Sequence, residues 1–268
     1  MERRSTQMDT TTFTNDLKMM RTAKVSTPMR MKTAEFLGGE AIQPAHLLIS
    51  PWCRSFAKRT FDLILASLMT LMVLPLIPLI AAAVKLSSPG PVFFRQCRLC
   101  LDGGEFQLLK FRTMIHNSQT RLGVTSKGDH RVTRVGKFLR KTKLDELPQL
   151  WCVLAGTMSL VGPRPDLPEC FSLLGEEYRQ VLRLRPGLTG RASVCFRNEE
   201  EMLSTVARDQ VESFYISNVL PHKIRLELEY ARTASLWRDL VILFQTFFSL
   251  FSTQVDDRCN QTGVTLPT

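Results

Sequence analysis

The chain has 268 residues, 44% hydrophobic and 22% charged, enough for one substantial packed domain with appendages, which excludes a chain too polar to fold. Its net charge of +10 and pI near 9.5 suit nucleic acid, anionic lipid or a phosphorylated substrate without choosing among them. Seven scattered cysteines, an odd number, argue against a disulfide framework and for a reducing compartment. Cys97 and Cys100 are the one close pair, and with no second pair or His-x-x-x-His nearby they do not read as a zinc site.

Residues 1–55 are polar, rich in Thr, Met and Lys/Arg, and show no sustained period. They read as a disordered tail with a short helix near Thr14–Met20, and the apolar run that follows begins too late for a secretory signal. Leu63 to Val84 is 22 residues without a charge. As a helix it measures about 33 Å, close to a hydrocarbon core of about 30 Å. Pro75 and Pro78 interrupt it, and either breaks or kinks a helix. Up to Arg59 the chain carries ten Lys/Arg against five Asp/Glu, and Lys85 follows the run. Positive flanks prefer the cytoplasm, so a straight span cannot satisfy both ends. The expectation is a re-entrant helix–break–helix over 56–88, broken near Pro75; a single-pass helix is the alternative.

Ser87-Ser-Pro-Gly-Pro91 is a turn. Val92–Arg95 and Phe106–Phe111 read as short strands around the turn Asp102-Gly-Gly104. Residues 116–130 read as a polar loop, and Val132, Val135, Phe138 and Leu139 mark a basic amphipathic helix. Phe171–Leu184, 199–218 and 222–233 read as helical. Leu236–Phe251 is apolar and aromatic but too short in its charge-free part to span a bilayer, so it is either a core helix or one lying in an interface. Residues 253–268 read as a tail.

The informative stretch is Lys141-Thr-Lys-Leu-Asp-Glu-Leu-Pro-Gln-Leu-Trp151. Asp145 and Glu146 are adjacent acids, and Leu144, Leu147, Leu150, Trp151 and Leu154 follow helical spacing. Pro148 has no N–H and fits only a first turn, which places Asp145 near an N-cap and Glu146 just inside the helix. A carboxylate or a phosphate is stabilised there, though an ordinary Asp cap beside a solvated Glu gives the same pattern. Basic residues recur beside glycines and prolines: Lys110 and Arg112, Arg140, Arg164, Arg185, Arg191. Gly-Pro-Arg-Pro165 and Arg185-Pro-Gly fix an arginine on rigid backbone, which suits bidentate phosphate recognition. Two acids with such cations are what phosphoryl transfer requires.

Five motifs, in order, carry a resemblance: Lys110-Phe-Arg-Thr-Met114, Leu144-Asp-Glu-Leu-Pro-Gln-Leu150, Met158-Ser-Leu-Val-Gly-Pro-Arg-Pro165, Arg185-Pro-Gly-Leu-Thr-Gly190 and Leu236-Trp-Arg-Asp239. Together with Lys58-Arg-Thr-Phe-Asp62 they resemble the bacterial sugar transferases, the monotopic polyprenyl-phosphate phosphoglycosyl transferases, over residues 56–252. The resemblance implies an α+β, mainly helical fold: the re-entrant membrane helix of 56–88 and a cytoplasmic catalytic domain over 89–252 with a small β element. It implies transfer of a sugar-1-phosphate from a nucleotide-sugar, a UDP-hexose, to a polyprenyl phosphate such as undecaprenyl phosphate, with release of UMP, at the cytoplasmic face of the bacterial inner membrane. By the same resemblance Asp145 is the nucleophile that forms an aspartyl-phosphosugar. Glu146 is its partner, and both bind Mg²⁺. Lys110, Arg112, Arg140 and Arg164 hold phosphates. Arg185 with Gly187 and Gly190 shapes the donor pocket, and Asp239 matches a late acidic position in the site. Membrane lipid is an expected partner, and pairing of two copies is compatible with intramembrane helices.

The chain departs from the family pattern at Cys100, Cys152 and Thr157, and at Arg191, Ser193 and Phe196, which puts the donor in doubt. A non-catalytic basic membrane adaptor derived from this family is the competing reading. A nucleic-acid binder is disfavoured, because no helix-turn-helix, zinc or RNP pattern is present and only three Tyr and three Trp are available for stacking.

Overall fold

A computed structural model of the chain describes residues 49–115, 131–166, 168, 176–207 and 210–249. The expected helix near Thr14–Met20, the 116–130 loop, the start of the expected Phe171–Leu184 helix and the C-terminal tail lie outside the described residues.

Ser55 opens the first helix, α1 (Phe56–Val73), by accepting the Lys58 backbone N–H at 3.0 Å. Leu74 N still donates to Thr70 O at 2.9 Å, but Pro75 has no N–H to continue the ladder. The chain bends by 61° and restarts as α2 (Leu76–Ser87), where Pro78 falls in the tolerant first turn. Among the described residues no single helix is long and apolar enough to cross a membrane, whereas this bent pair is, taken together. One face of the pair leaves Ile64, Leu68, Leu71, Met72, Leu79 and Leu86 exposed, and the other buries Asp62, Ala66, Ile80 and Val84.

Two antiparallel strands follow, β1 (Phe93–Leu99) and β2 (Glu105–Phe111), in a register that pairs Phe93 with Phe111 and Leu99 with Glu105. Both outrun the expected strands at the turn end. The reversal rests on Asp102 and Gly103, both at positive φ. The amphipathic helix α3 (Arg134–Lys141) is capped by Thr133, whose hydroxyl accepts Gly136 N–H at 2.9 Å. Gly136 lies so close to Thr113 that a Cβ would sit 2.0 Å from its carbonyl oxygen. After α4 (Gln149–Ala155) comes a second sheet that the sequence does not announce: β3 (Ser159–Val161) runs parallel to β4 (Gly187–Thr189). Between them lies α5 (Glu176–Val181), and behind β4 come α6 (Arg191–Cys195) and α7 (Glu199–Leu203). The expected helices over 199–218 and 222–233 are shorter and joined: α8 (Val211–Phe214) runs through a π turn at Tyr215–Val219 into α9 (Leu220–Thr233). Pro221 in the first turn of α9 explains the widened turn, since its ring would clash with the carbonyl four residues back. The last helix, α10 (Leu236–Ser249), packs as a core helix through the buried Asp239 and Ile242 and leaves Trp237, Phe244 and Phe248 exposed. The fold is thus α+β and mostly helical, as expected.

A buried ionic hub joins the bent helices to the rest. Lys58 Nζ donates to Asp239 Oδ2 at 2.8 Å and Asp62 Oδ1 at 3.4 Å. Asp62 also accepts from Ser159 Oγ at 2.7 Å and Leu160 N at 3.3 Å on β3. Asp239 further accepts from Trp52 Nε1 at 2.9 Å and Tyr230 OH at 2.8 Å. Two expectations are corrected here. Residues 49–55 are packed rather than part of a free tail, because Ser50 donates through N and Oγ to Ala231 and Ala234 carbonyls and Trp52 reaches the hub. Asp239, expected among the substrate-binding residues, is instead fully buried in the hub, with both its oxygens taken by protein donors. Among the described residues Cys53, Cys97, Cys100 and Cys152 are free thiols.

Replacing Lys58 by Met leaves two buried carboxylates facing each other without a cation. Breaking such a pair costs roughly 3–5 kcal/mol. Chemical denaturation of Lys58→Met against the unaltered chain is expected to show a loss of that size; a loss under about 1 kcal/mol would mean the hub is hydrated and weak.

Candidate active site

The acid pair sits in a tight 3₁₀ turn, Leu144–Glu146, and not at the cap of α4. Lys143 adopts a left-handed conformation (φ 57°) that reverses the chain after α3, and Glu146 N donates back to Lys143 O at 3.2 Å. Pro148 then precedes α4 as its cap residue, one place before the expected first turn. The turn is favoured because Leu144 and Leu147 pack into the cluster of Phe111 and Leu139 while the acids face the other way.

Both acids are buried, Asp145 at 6% and Glu146 at 9% exposure. Glu146 Oε1 receives two cations, Lys110 Nζ at 2.9 Å from β2 and Arg164 Nη2 at 2.9 Å from the Gly-Pro-Arg-Pro loop. Burial pushes the Glu146 carboxyl up, but Arg164 and Lys110 outweigh it and hold Glu146 well below the usual carboxylate range. Asp145 goes the other way. Burial raises its pKa, with the Glu146 charge adding to it, and Lys110, Lys143 and Arg140 only partly oppose the rise. Its Oδ1 is buried with no hydrogen-bond partner. Lys110 is lowered by burial despite Glu146, and Arg164 is raised chiefly by Glu146. Two neighbouring carboxyls pushed apart in this way are what acid–base and nucleophilic sites look like.

Arg164 is held by backbone rather than by its own packing. Arg98 of β1 donates to Pro165 O at 3.1 Å, and Leu99 N donates to Asp166 O at 2.9 Å. Gly162 N donates to Thr189 O, and Gly187 N to Pro163 O, at 2.9 and 2.8 Å. The glycines make this seam: a Cβ on Gly187 would lie 2.2 Å from Gly162 N, and one on Gly190 would lie 2.2 Å from Gly162 O. Gly187 and Gly190 thus let two backbones touch beside the loop that carries Arg164. Arg140 donates through Nε to Thr113 Oγ1 at 2.9 Å, and its charge reaches Asp145.

One expected phosphate ligand, Arg112, is not brought to the acids. Arg112 is buried beneath α2 and donates through Nη2 to Ser88 O at 2.6 Å and Val84 O at 3.4 Å, tying the end of that helix to β2. The Arg185 charge is felt by Arg59 and Cys100, while Arg59 itself donates to Val153 and Leu154 carbonyls at the far end of α4. Sequence reasoning missed Glu227. It lies on α9 between the buried Ile224 and Ala231, both carboxylate oxygens are buried, and neither has a hydrogen-bond partner. Backbone N–H groups of Ala192 and Arg164 face it outside hydrogen-bond geometry. An acid on the apolar face of a helix was the available signal.

For a divalent metal, among the described residues no group of three or more ligating side chains exists. What the acids offer is Asp145 Oδ1 and the second oxygen of Glu146, since both cations land on Oε1. That fits Mg²⁺, which is commonly held by one or two carboxylates plus substrate phosphates, and not a metal needing a complete protein cage.

Comparison with known proteins assigns the chain to a family. The model of the bacterial sugar transferase family matches residues 53–253, and the chain belongs to that family. A UDP-glucose:undecaprenyl-phosphate glucose-1-phosphate transferase of Caulobacter vibrioides is 42% identical over 200 residues, covering 73% of this chain and 70% of that protein. The protein of the same name from Escherichia coli K12 is 39% identical over 203 residues, covering 72% of this chain but 40% of its own length. The exopolysaccharide production protein ExoY of Rhizobium meliloti is 37% identical over 206 residues, covering 71% of this chain and 83% of its own.

Burial and the Asp166 charge push the Glu227 carboxyl from 4.5 up to about 8. The folded state then keeps a proton that the unfolded state loses, so this group costs stability as pH rises from about 4.5 to about 8. Glu227→Gln removes the cost. Its melting temperature is expected to pull ahead of the unaltered chain by several degrees between pH 5 and pH 8, at roughly 2–4 °C per kcal/mol. A gap that does not change with pH would show that Glu227 is ionised in the fold.

Proposed function

We propose that this chain transfers a sugar-1-phosphate from a nucleotide-sugar, a UDP-hexose, to undecaprenyl phosphate or a related polyprenyl phosphate, releasing UMP. The observation that carries this reading is the Asp145 oxygen that is buried and unpartnered beside a Glu146 already neutralised by Lys110 and Arg164. Two of the relatives named above are by name UDP-glucose:undecaprenyl-phosphate glucose-1-phosphate transferases, which supports the substrate classes.

In the first step an Asp145 carboxylate oxygen attacks the phosphorus that bears the sugar. The bond from that phosphorus to the bridging oxygen breaks, and UMP leaves with the electron pair. An oxygen of the polyprenyl phosphate then attacks the same phosphorus, the acyl-phosphate bond breaks, and Asp145 is restored as a carboxylate with the sugar on a polyprenyl diphosphate. A covalent intermediate divides transfer between two bulky anions into two displacements. Lys110 and Arg164 keep Glu146 from repelling the incoming phosphates and, with Arg140, offset charge on the moving group. Mg²⁺ held by Asp145 and Glu146 would supply further neutralisation of the diphosphate.

The α1–α2 pair fits a re-entrant hairpin seated in the cytoplasmic leaflet of the inner membrane. Its outward residues are apolar, the bend is 61°, and both flanking stretches are basic. In this reading the acceptor phosphate lies near the site end of the hairpin.

Asp145→Asn is expected to lose at least 10³-fold in UMP release while membrane association is unchanged, whereas a lipid-binding adaptor would be indifferent to the change. Brief incubation with donor labelled in the sugar, and no lipid acceptor, is expected to leave label on the unaltered chain and none on Asp145→Asn. Unlabelled protein, with kinetics that require both substrates at once, would replace the two-step reading by direct transfer. For topology, single cysteines at Arg54 and Lys141, in a chain freed of its other cysteines, are both expected to label from the cytoplasmic side. Labelling from opposite sides would mean a full span.

A further inference from the structure

Next to the acid pair lies a second polar cluster that the transfer chemistry does not use. Lys223, one turn before Glu227 on α9, donates through Nζ to Glu199 Oε2 at 2.6 Å and to Tyr215 OH at 3.3 Å. The same ammonium sits 5.0 Å from the centre of the Tyr215 ring and 5.6 Å from that of Phe196. The pair is not sealed: the Lys223 and Glu199 side chains keep 14% and 26% of their exposure. Arg164 connects the two regions, since its guanidinium holds Glu146 and also feels the Glu199 and Asp145 charges.

Resting on the transfer reading above, we infer that Lys223, Glu199, Phe196 and Tyr215, with Glu227 beneath them, form the subsite for the sugar ring of the donor. Three observations carry this. The first is charge. Lys223 and Glu199 cancel, and the cluster therefore lacks the surplus positive charge a phosphate would need; it suits an uncharged polyol. The second is composition. Two aromatic faces beside a cation and an acid offer apolar surface for the C–H face of a pyranose and donors and acceptors for its hydroxyls. The third is position. The cluster begins one arginine side chain from the acid pair, where the ring attached to the reacting phosphorus must lie. Glu227 adds a carboxyl that neutral pH leaves protonated, able to donate and to accept. A buried polar group without a partner is what a ligand-completed site contains before the ligand arrives.

The test is binding, not turnover. The full chain in detergent is titrated, without lipid acceptor, with UDP, UMP, UDP-glucose, UDP-galactose and UDP-N-acetylgalactosamine. Lys223→Met is expected to weaken the best-bound UDP-sugar about tenfold, about 1.4 kcal/mol, and to leave UDP and UMP within twofold. Lys223→Arg is expected to recover part of the loss. Glu199→Gln, which disturbs packing less, is expected to shift the ranking of the three sugars. Equal weakening of UDP and UDP-sugars would assign the cluster to the nucleotide and overturn the inference, as would no weakening of either. If the unaltered chain binds UDP as tightly as every UDP-sugar, no sugar subsite exists. The transfer reading fails by a separate result, which is UMP release that survives Asp145→Asn.

Discussion

One carboxylate oxygen bound by two cations organises this molecule. Glu146 is buried, and an uncompensated buried carboxylate would shed its charge at neutral pH. Lys110 and Arg164 each reach its Oε1 at 2.9 Å, from elements far apart in the chain, and keep it ionised. Burial, with that negative charge adding to it, raises the neighbouring Asp145, whose Oδ1 is left unmatched. Stability is given up at Asp145. The sheets, the glycine seam and the end of β1 can all be understood as the means of holding Lys110 and Arg164 to the same atom.

The supporting structure works by backbone contact more than by side-chain bulk. Gly162, Gly187 and Gly190 let two loops touch where any Cβ would collide, and Arg98 and Leu99 fasten the loop that carries Arg164. Arg112 does for α2 what Arg98 does for that loop, gripping its last carbonyls. Arginines in this chain therefore serve two purposes, and proximity to glycine or proline in sequence does not separate them.

Much of this is legible in the sequence because the signals are local. The break at Pro75, the hairpin at Asp102-Gly-Gly104, the acid pair and the Gly-Pro-Arg-Pro loop follow from residues within a few positions of one another. What escaped depends on distant partners. Strands β3 and β4 are three residues each and pair across a long stretch of chain, so no alternating pattern betrays them. Asp145 missed its expected cap because the left-handed Lys143 starts a tighter turn first, and nothing in a lysine advertises that conformation. The place of Asp239 in the hub was not legible since its cation, Lys58, and its donors, Trp52 and Tyr230, are invisible to spacing.

The hub around Lys58 also dictates an order of assembly. Asp62 lies four residues from Lys58, but Asp239 lies 181 residues away. When the bent helices leave the ribosome, the lysine has only its near neighbour, and the carboxylate that completes it has yet to be synthesised. The hub therefore stays incomplete until the last helix arrives, and truncation from the C-terminal side would leave Lys58 without its second carboxylate.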